Sequence, residues 1–407
     1  MTTPDAARPV ERTPMPGTPA LDRVLAAVRG GADSAALPEG HAVASAPASV
    51  ELIGDPCARA GGMLLTAAAG VSAAVALGPA EDDALVIRAG GEEHRMPMPD
   101  AAPAGLPRTA ATVAAAVVAL QQAAPLIPRT GRGLTVTVAS DIPARRGLGE
   151  RAAIGAALAL AANELWGDRD DVPTRARYAA ALHEAQAAHL GRDIPLHPYT
   201  VALRARAGHA ALCDHADGAV TQVPVPDHLR LLVACSPDVT GAEPPVARDR
   251  FFAEACRAFG VPTLAELPDA DTRVLEWIRA RHQVDPESDA PTEARAAAWL
   301  ERAAAGADRC RAISGNLRHG DVAAALNTVA VDIRDQGGAP DADAPLGQLA
   351  AAADAAGALV RPLGAPAAAL VAWAPAGAAA ATAAAIRAAG GSAIPVAATP
   401  AGLPWGP

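Results

Sequence analysis

The sequence contains no lysine, so all 34 basic residues among its 407 are arginines. A Walker-type phosphate loop ends in lysine, and Schiff-base catalysis also needs one, so both chemistries are excluded. Any phosphate site in this chain must instead use arginine, backbone N–H groups or the N-terminus of a helix.

Aromatic residues make up only 2% of the chain, whereas 51% of it is hydrophobic. The core must therefore consist mainly of alanine, valine and leucine. A chain of 407 residues is long enough for two domains with such cores. The formal net charge of −10 argues against a broad nucleic-acid surface, so we expect no nucleic-acid partner.

Cysteine is scarce, and its spacing shows neither a CxxC pair nor a cluster typical of a zinc site. The five residues are Cys57, Cys213, Cys235, Cys256 and Cys310. We expect reduced, mostly buried thiols in a cytoplasmic protein, and no neighbouring feature activates Cys57 as a nucleophile.

No long hydrophobic run is present either. The N-terminal 19 residues lack the apolar core of a signal peptide. Residues 363–386 are uncharged but interrupted by glycine and proline, which indicates a strand, a turn and a helix rather than a membrane span.

Strand-like and helix-like segments alternate in both halves of the chain, which is typical of an α+β protein with two lobes and a cleft between them. We expect a disordered tail over residues 1–20, an N-terminal lobe over 21–205 and a C-terminal lobe over 206–407. The predicted helices cover 21–29, 108–124, the apolar segment after the loop in 143–167, 174–190, most of 248–357, and 377–389. The predicted strands cover 48–53, 71–78, 84–89, 134–142, 209–213, 229–234, 368–373 and 392–397.

Three motifs occur in the order found in galactokinases. APASVELIGDPCARAGG, starting at Ala46, is similar to APGRVNLIGEH followed by TDYNGG. SDIPARRGLGERAA is similar to the phosphate loop SDIPxGxGLSSSAA, and GHAALCD is similar to GHALLID. From about Ala46 to the C-terminus the chain thus resembles the galactokinase family of the GHMP small-molecule kinase superfamily. The resemblance implies the GHMP kinase fold, with a ribosomal-protein-S5-like N-terminal lobe and an α/β C-terminal lobe.

The resemblance also implies ATP-dependent phosphorylation of galactose or a related sugar, with ATP and Mg²⁺ bound at the phosphate loop. In the family, the loop lies at a helix N-terminus and its serines help bind phosphate and metal. The residues at the loop positions here are Arg145, Arg146, Gly147, Gly149, Glu150 and Arg151. Glu150 puts a carboxylate where phosphate would lie, and it either caps the helix or binds Mg²⁺.

The two catalytic positions implied by the resemblance are both replaced. The family arginine falls on Ser49, and counting back without gaps from Gly208 places the family aspartate on Pro198. Neither residue can accept a proton or stabilise developing charge as the family residues do. Asp193 could substitute if its loop shifted, although the pattern favours a surface carboxylate.

The sugar-binding run is similarly altered. Asp55 keeps an acid at the family glutamate position, whereas Pro56 and Ala58 replace the histidine and aspartate that follow. Neither replacement supplies a side-chain hydrogen bond. Gly61 and Gly62 are retained, and they serve either the substrate loop or only a backbone turn.

These substitutions favour a galactokinase-like pseudokinase with impaired catalysis, which binds sugar and nucleotide or acts through a protein partner. A second hypothesis is an active kinase for another small molecule, with a site rebuilt from Asp55, Glu150, Asp193 and local arginines. A third is a structural or interaction protein with a closed cleft. Nucleotide-dependent stabilisation separates the first hypothesis from the third.

Overall fold

The computed structural model describes residues 18–29, 37–55, 57–128, 133–167, 169–239, 246–335, 338, 340–364 and 367–397. Most of the tail expected over residues 1–20 lies outside these ranges. Within them, no helix is both long enough and apolar enough to cross a membrane.

The described residues form eleven α-helices and eleven strands. The helices are α1 Pro19–Arg29, α2 Arg108–Gln122, α3 Glu150–Trp166, α4 Val172–Leu190, α5 His197–Arg204, α6 Val246–Phe259, α7 Ala270–Val284, α8 Glu293–Arg318, α9 Val322–Asp335, α10 Pro345–Ala355 and α11 Ala376–Ala388. The strands are β1 Ala42–Gly54, β2 Met63–Pro79, β3 Ala84–Ala89, β4 Glu92–Pro97, β5 Leu134–Ser140, β6 His209–Asp214, β7 Val220–Pro224, β8 Leu229–Cys235, β9 Leu359–Leu363, β10 Ala369–Pro375 and β11 Ser392–Pro395.

The larger sheet has seven strands in the order β4-β3-β5-β2-β6-β7, and β1 pairs with β2 outside this path. The long strand β2 organises the sheet. It runs antiparallel to β1 over nearly its whole length, to β5 near its end and to β6 near its start. The sheet continues through β6 and β7, beyond the boundary proposed at residue 205, and that boundary stays a prediction.

The smaller sheet has the antiparallel order β11-β8-β10-β9. Side chains alternate across its strands: Val233 and Val371 face the main core, whereas Leu232 and Leu370 pack with α10 and α11. Successive side chains of a strand point to opposite faces, and here both faces of the sheet are buried because each is covered by other elements.

The main core is built largely from alanine. Within it, α3 is buried almost all round and lies against β1 and β2. Small side chains let this helix approach the strands closely. Helix α1 covers the opposite face of the larger sheet, where Leu21 and Val24 pack on β1 and β2. Ala20 N donates to Asp141 Oδ2 at 2.6 Å, which fixes α1 beside the end of β5.

The predicted elements are present, with ends shifted by a few residues in most cases. The disordered tail was predicted to reach residue 20, but α1 already begins at Pro19. Four elements were missed. β4 and β7 are short, mostly exposed strands, β9 is only five residues long, and α5 carries a proline in its first turn.

Candidate functional site

The loop before α3 has the backbone shape of an anion-binding turn. Gly147 and Gly149 have φ angles of 73° and 67°, in the left-handed region that favours glycine. Gly149 is the N-cap of α3, and no side chain caps this helix end. The N-terminus of a long helix favours a negative ligand, because its first N–H groups lack intrahelical partners.

The two positions that the resemblance assigns to catalytic residues meet at this loop. Ser49 N donates to Leu148 O at 3.1 Å. A Cβ atom built on Gly149 would overlap the Ser49 hydroxyl and lie 3.1 Å from Pro198 Cβ. Ser49 and Pro198, which were selected by their positions in the sequence motifs, are therefore neighbours in space. At this junction of β1, α5 and the loop, they supply a hydroxyl and a pyrrolidine ring, and no ionisable group.

The arginines of the loop differ in their surroundings. Arg145 is exposed and has a φ of 59°, a strained conformation for a residue with a Cβ. Arg146 is buried, and its Nη2 donates to Ser236 O at 2.9 Å, just beyond β8. Arg146 thus joins the loop to the smaller sheet. Burial raises the pKa of Tyr199 on α5, and the Arg151 charge acts on that pKa in the opposite direction.

Glu150 lies in the first turn of α3 and does not act as its N-cap. Its Oε2 lies 3.8 Å from Arg108 Nε at the start of α2. The N-cap position is instead occupied by Gly149, through whose left-handed conformation the chain enters the helix. A single carboxylate in this place fits Mg²⁺, which typically binds one or two protein carboxylates together with phosphate oxygens. Among the described residues, no group of three or more His, Cys, Asp or Glu could hold a metal ion.

Asp55, the retained acid, is only 3% exposed and belongs to a bidentate ion pair. Its two carboxylate oxygens accept from Arg248 of α6, at 3.0 and 3.1 Å. Oδ1 also accepts from Cys57 N at 2.8 Å. Burial raises the pKa of Asp55, although the Arg248 charge acts in the opposite direction. Sequence reasoning missed Arg248, which lies 193 residues from its partner.

Gly61 and Gly62 of the sugar-binding run have structural contacts, and Pro56 lies outside the described residues. Gly61 has a φ of 71°, and a Cβ there would lie 2.5 Å from Ala265 Cβ, so the turn requires glycine. Gly62 is near the Ala303 backbone. Asp193 is exposed and pairs with Arg59 at 2.9 Å, which joins the α4–α5 loop to this turn.

The three carboxylates of the second hypothesis each contact an arginine, and the rebuilt site stays a prediction. Asp55, Glu150 and Asp193 pair with arginines of three different parts of the chain. The structure also brings His197 together with Glu51, which the sequence analysis did not select. Glu51 Oε1 lies 3.3 Å from His197 Nε2, directly before Pro198. The alternation of β1, which turns Ser49 and Glu51 to the same side, was the one signal for Glu51.

Cys57 is buried beside Asp55 and Asp249, and burial with these negative charges raises its pKa to about 12. We expect iodoacetamide at about pH 8 to alkylate Cys57 in the folded protein at least three orders of magnitude more slowly than in urea, because the thiolate is the reactive form. Peptide mapping by mass spectrometry measures both rates. Comparable rates in the two states would show that Cys57 is an accessible thiol.

A groove of about 780 Å³ lies beside the loop. It is bounded by α1, the β3–β4 hairpin, the start of α2 and β5, and Arg23, Arg88 and Arg108 contribute to its wall. Arg108 also faces Glu150, so the groove and the N-terminus of α3 share one wall. Its volume is that of a typical small-molecule site.

Comparisons with known proteins bear on the fold that carries this loop. Residues 111–197 match the family model of the GHMP kinases N terminal domain. The chain has the GHMP kinase fold. The match includes the phosphate loop and the start of α5, and it confirms the resemblance to this superfamily that the motifs predicted.

Solved structures extend the likeness to nearly the whole chain. Lactococcus lactis galactokinase complexed with galactose has a TM-score of 0.69 and 14% identity, covering 94% of this chain and 99% of that one. A D-glycero-D-manno-heptose 1-phosphate kinase from Bacteriodes thetaiotaomicron has a TM-score of 0.56 and 13% identity, with 87% and 95% covered. A homoserine kinase from Cytophaga hutchinsonii has a TM-score of 0.53 and 15% identity, with 90% and 97% covered. At these identities the likeness concerns the fold, and no curated protein matches the sequence.

Proposed function

We propose that this GHMP-fold protein is galactokinase-like in its ligands, binding a nucleotide and a small hydroxylated molecule, but is severely impaired in phosphoryl transfer to galactose. The observation that carries the proposal is the junction of Ser49, Gly149 and Pro198. Transfer to a sugar hydroxyl needs charge stabilisation and proton removal next to the phosphate loop. Neither side chain at this junction can supply them.

Nucleotide binding is supported by what the loop retains. The left-handed glycines and the uncapped N-terminus of α3 suit the phosphates of ATP. Glu150 would hold Mg²⁺, whose charge would neutralise the phosphate oxygens. The groove beside Arg108 has room for the base and ribose of the nucleotide.

We expect Mg·ATP to raise the melting temperature, because a ligand that binds only the folded state stabilises it. In the same preparation, we expect turnover on galactose at least about 10³-fold below that of Lactococcus lactis galactokinase, since loss of a base or of an electrostatic group each costs about 10² or more. Thermal shift and a coupled ADP assay measure the two quantities.

The matched control is Glu150→Ala, which removes the carboxylate at the loop and leaves Ser49 and Pro198 unchanged. We expect the variant to lose Mg²⁺ dependence in the thermal shift. Galactose turnover within tenfold of the comparison enzyme would overturn the proposal. Absence of a nucleotide shift would instead favour a closed, structural cleft.

A further inference from the structure

Arg146 is a buried arginine whose guanidinium group is only partly satisfied. The residue is 8% exposed, and its Nη2 donates to Ser236 O at 2.9 Å and to Pro237 O at 3.2 Å. The other two nitrogens, Nε and Nη1, are buried and have no hydrogen-bond partner. In the part of the chain that the structure describes, the acceptors of Arg146 are thus backbone carbonyls, and none of them is a carboxylate.

The other buried arginine of the described residues shows what this position lacks. Arg361 is 5% exposed, and its Nε donates at 2.8 Å to Asp332 Oδ2, an oxygen of a carboxylate that is itself buried. The half-buried Arg248 likewise binds both carboxylate oxygens of Asp55. A charge removed from water is costly unless it is paired, and these guanidinium groups are paired with carboxylates. Arg146 is the exception.

The thiol of Cys235, on which the charge of Arg146 acts, does not serve as the counter-ion. Burial raises the pKa of this thiol to about 11, and the Arg146 charge acts in the opposite direction. The thiol is therefore uncharged at neutral pH. Water molecules could complete the hydrogen bonds of Nε and Nη1, but they would leave the positive charge unpaired. The partner that suits Arg146 is therefore an anion.

The donors at this position suit a phosphate group. Ser236 is buried, and its Oγ accepts from Asp238 N at 3.2 Å, which leaves the hydroxyl hydrogen for a ligand. This hydroxyl group adds a third donor to Nε and Nη1 of Arg146. A phosphate monoester has three terminal oxygens, whereas a carboxylate has two. Hydrogen bonds from arginine to phosphate are charge-assisted and therefore strong.

Arg146 connects the phosphate loop to the smaller sheet, not to the groove. Ser236 and Pro237 directly follow β8, whereas the described residues that line the groove all lie between positions 23 and 140. The groove meets the N-terminus of α3 through Arg108 and Glu150. A nucleotide that extends from the groove to this helix end reaches the loop from the larger sheet. We therefore assign the anion at Arg146 to the second ligand of the cleft.

We propose that Arg146 and Ser236 form a subsite for a phosphate group, and that the small hydroxylated ligand of this protein is a sugar or polyol monophosphate. The inference rests on the proposed function only in that this ligand enters the cleft beside the phosphate loop. The phosphate neutralises the buried guanidinium group and so offsets the cost of its burial. An unphosphorylated sugar leaves that charge unpaired, so the subsite discriminates against it.

The test is a calorimetric titration of the full chain, without nucleotide, at about pH 7.5, where a phosphate monoester is mainly a dianion. The phosphorylated compounds are D-galactose 1-phosphate, D-galactose 6-phosphate and D-mannose 6-phosphate. D-Galactose and D-mannose are the uncharged references, and D-galacturonate offers a carboxylate. We expect at least one sugar phosphate to bind at least about tenfold more tightly than all three references. Failure of every sugar phosphate to bind, or a smaller preference, would overturn the proposal.

Arg146→Gln removes the charge but retains a polar side chain. For the sugar phosphate that binds, we expect this variant to lose at least about tenfold in affinity. The matched control is Arg230→Gln on β8, since Arg230 is exposed and also donates to a backbone carbonyl, Asp227 O at 2.6 Å. We expect the control to bind within about twofold of the unsubstituted protein.

The melting temperature of the ligand-free protein separates this subsite from a purely structural role of Arg146. A subsite predicts that Arg146→Gln leaves it unchanged or raises it, because a buried unpaired charge is removed. A structural link between the loop and the smaller sheet predicts a lower melting temperature and no selective loss of phosphate binding. That second pattern would count against the subsite.

Mg·ATP separates the second ligand from the nucleotide. Arg146→Gln should keep the increase in melting temperature with Mg·ATP that the proposed function predicts. Loss of this increase in the variant would assign Arg146 to the nucleotide and overturn the proposal. Because the sugar phosphates are titrated without nucleotide, the subsite can stand when the unsubstituted protein fails to respond to Mg·ATP, and the proposed function can stand when the subsite fails.

Discussion

Arg248→Met is expected to lower the free energy of unfolding by about 3 kcal/mol at neutral pH, because it leaves the buried carboxylate of Asp55 without its counter-charge. Arg248 is 24% exposed and Asp55 3%, so solvent replaces little of the lost interaction. Urea denaturation at about pH 7.5 measures the loss.

The pH dependence identifies Asp55 as the cause. Burial raises its pKa in the folded protein, and removal of Arg248 would raise it further. Such a group takes up protons more readily when folded than when unfolded, so its contribution to stability falls as pH rises through the folded pKa. We therefore expect the deficit of Arg248→Met to shrink as the pH falls, because the Asp55 carboxyl group then becomes protonated.

Two controls accompany this variant. Arg250→Met, two residues along α6, removes an exposed arginine from surface ion pairs and should leave stability nearly unchanged. Asp55→Asn combined with Arg248→Met should recover most of the loss, since no buried charge then lacks a partner. A double variant as unstable as Arg248→Met would show that the arginine acts through packing.

The fold, and the closeness of Ser49 and Pro198 to the glycine loop, were predictable from local sequence. The strand containing Ser49, the glycine loop and the helix after it each have a local pattern, and gapless counting from Gly208 reached Pro198. Ser49 and Pro198 meet at Gly149 because strand β1 and helix α5 both pack against α3 and its preceding loop.

The partners of the charged site residues were not predictable in the same way. The Arg248–Asp55, Arg59–Asp193 and Arg108–Glu150 pairs join segments that lie far apart in sequence. No periodicity relates such residues, because their contact results from tertiary packing. The Glu51–His197 pair is of the same kind, and its histidine lies on a short helix that the sequence pattern did not reveal.

Gly149→Ala is expected to lower the free energy of unfolding by about 3 kcal/mol. A left-handed φ costs a residue with a Cβ about 1–2 kcal/mol, and forcing extra volume into a packed site costs about 1–3 kcal/mol. Here both apply, because φ is 67° and the new methyl group would overlap the Ser49 hydroxyl and crowd Pro198. Urea denaturation, with circular dichroism as the signal, measures the change.

Gly147→Ala separates the two contributions to this effect. Its φ of 73° gives nearly the same backbone strain, but a Cβ there meets no atom within 4 Å. We expect it to cost about 1 kcal/mol. Ser49→Ala introduced into Gly149→Ala should restore about 1 kcal/mol, because it removes the overlapping oxygen while Ser49 Cβ stays at 3.4 Å. Equal losses at Gly147 and Gly149, without rescue by Ser49→Ala, would mean that the three elements are not in contact at this junction. The replaced catalytic positions would then no longer border the phosphate loop, and the argument for impaired transfer would fail with them.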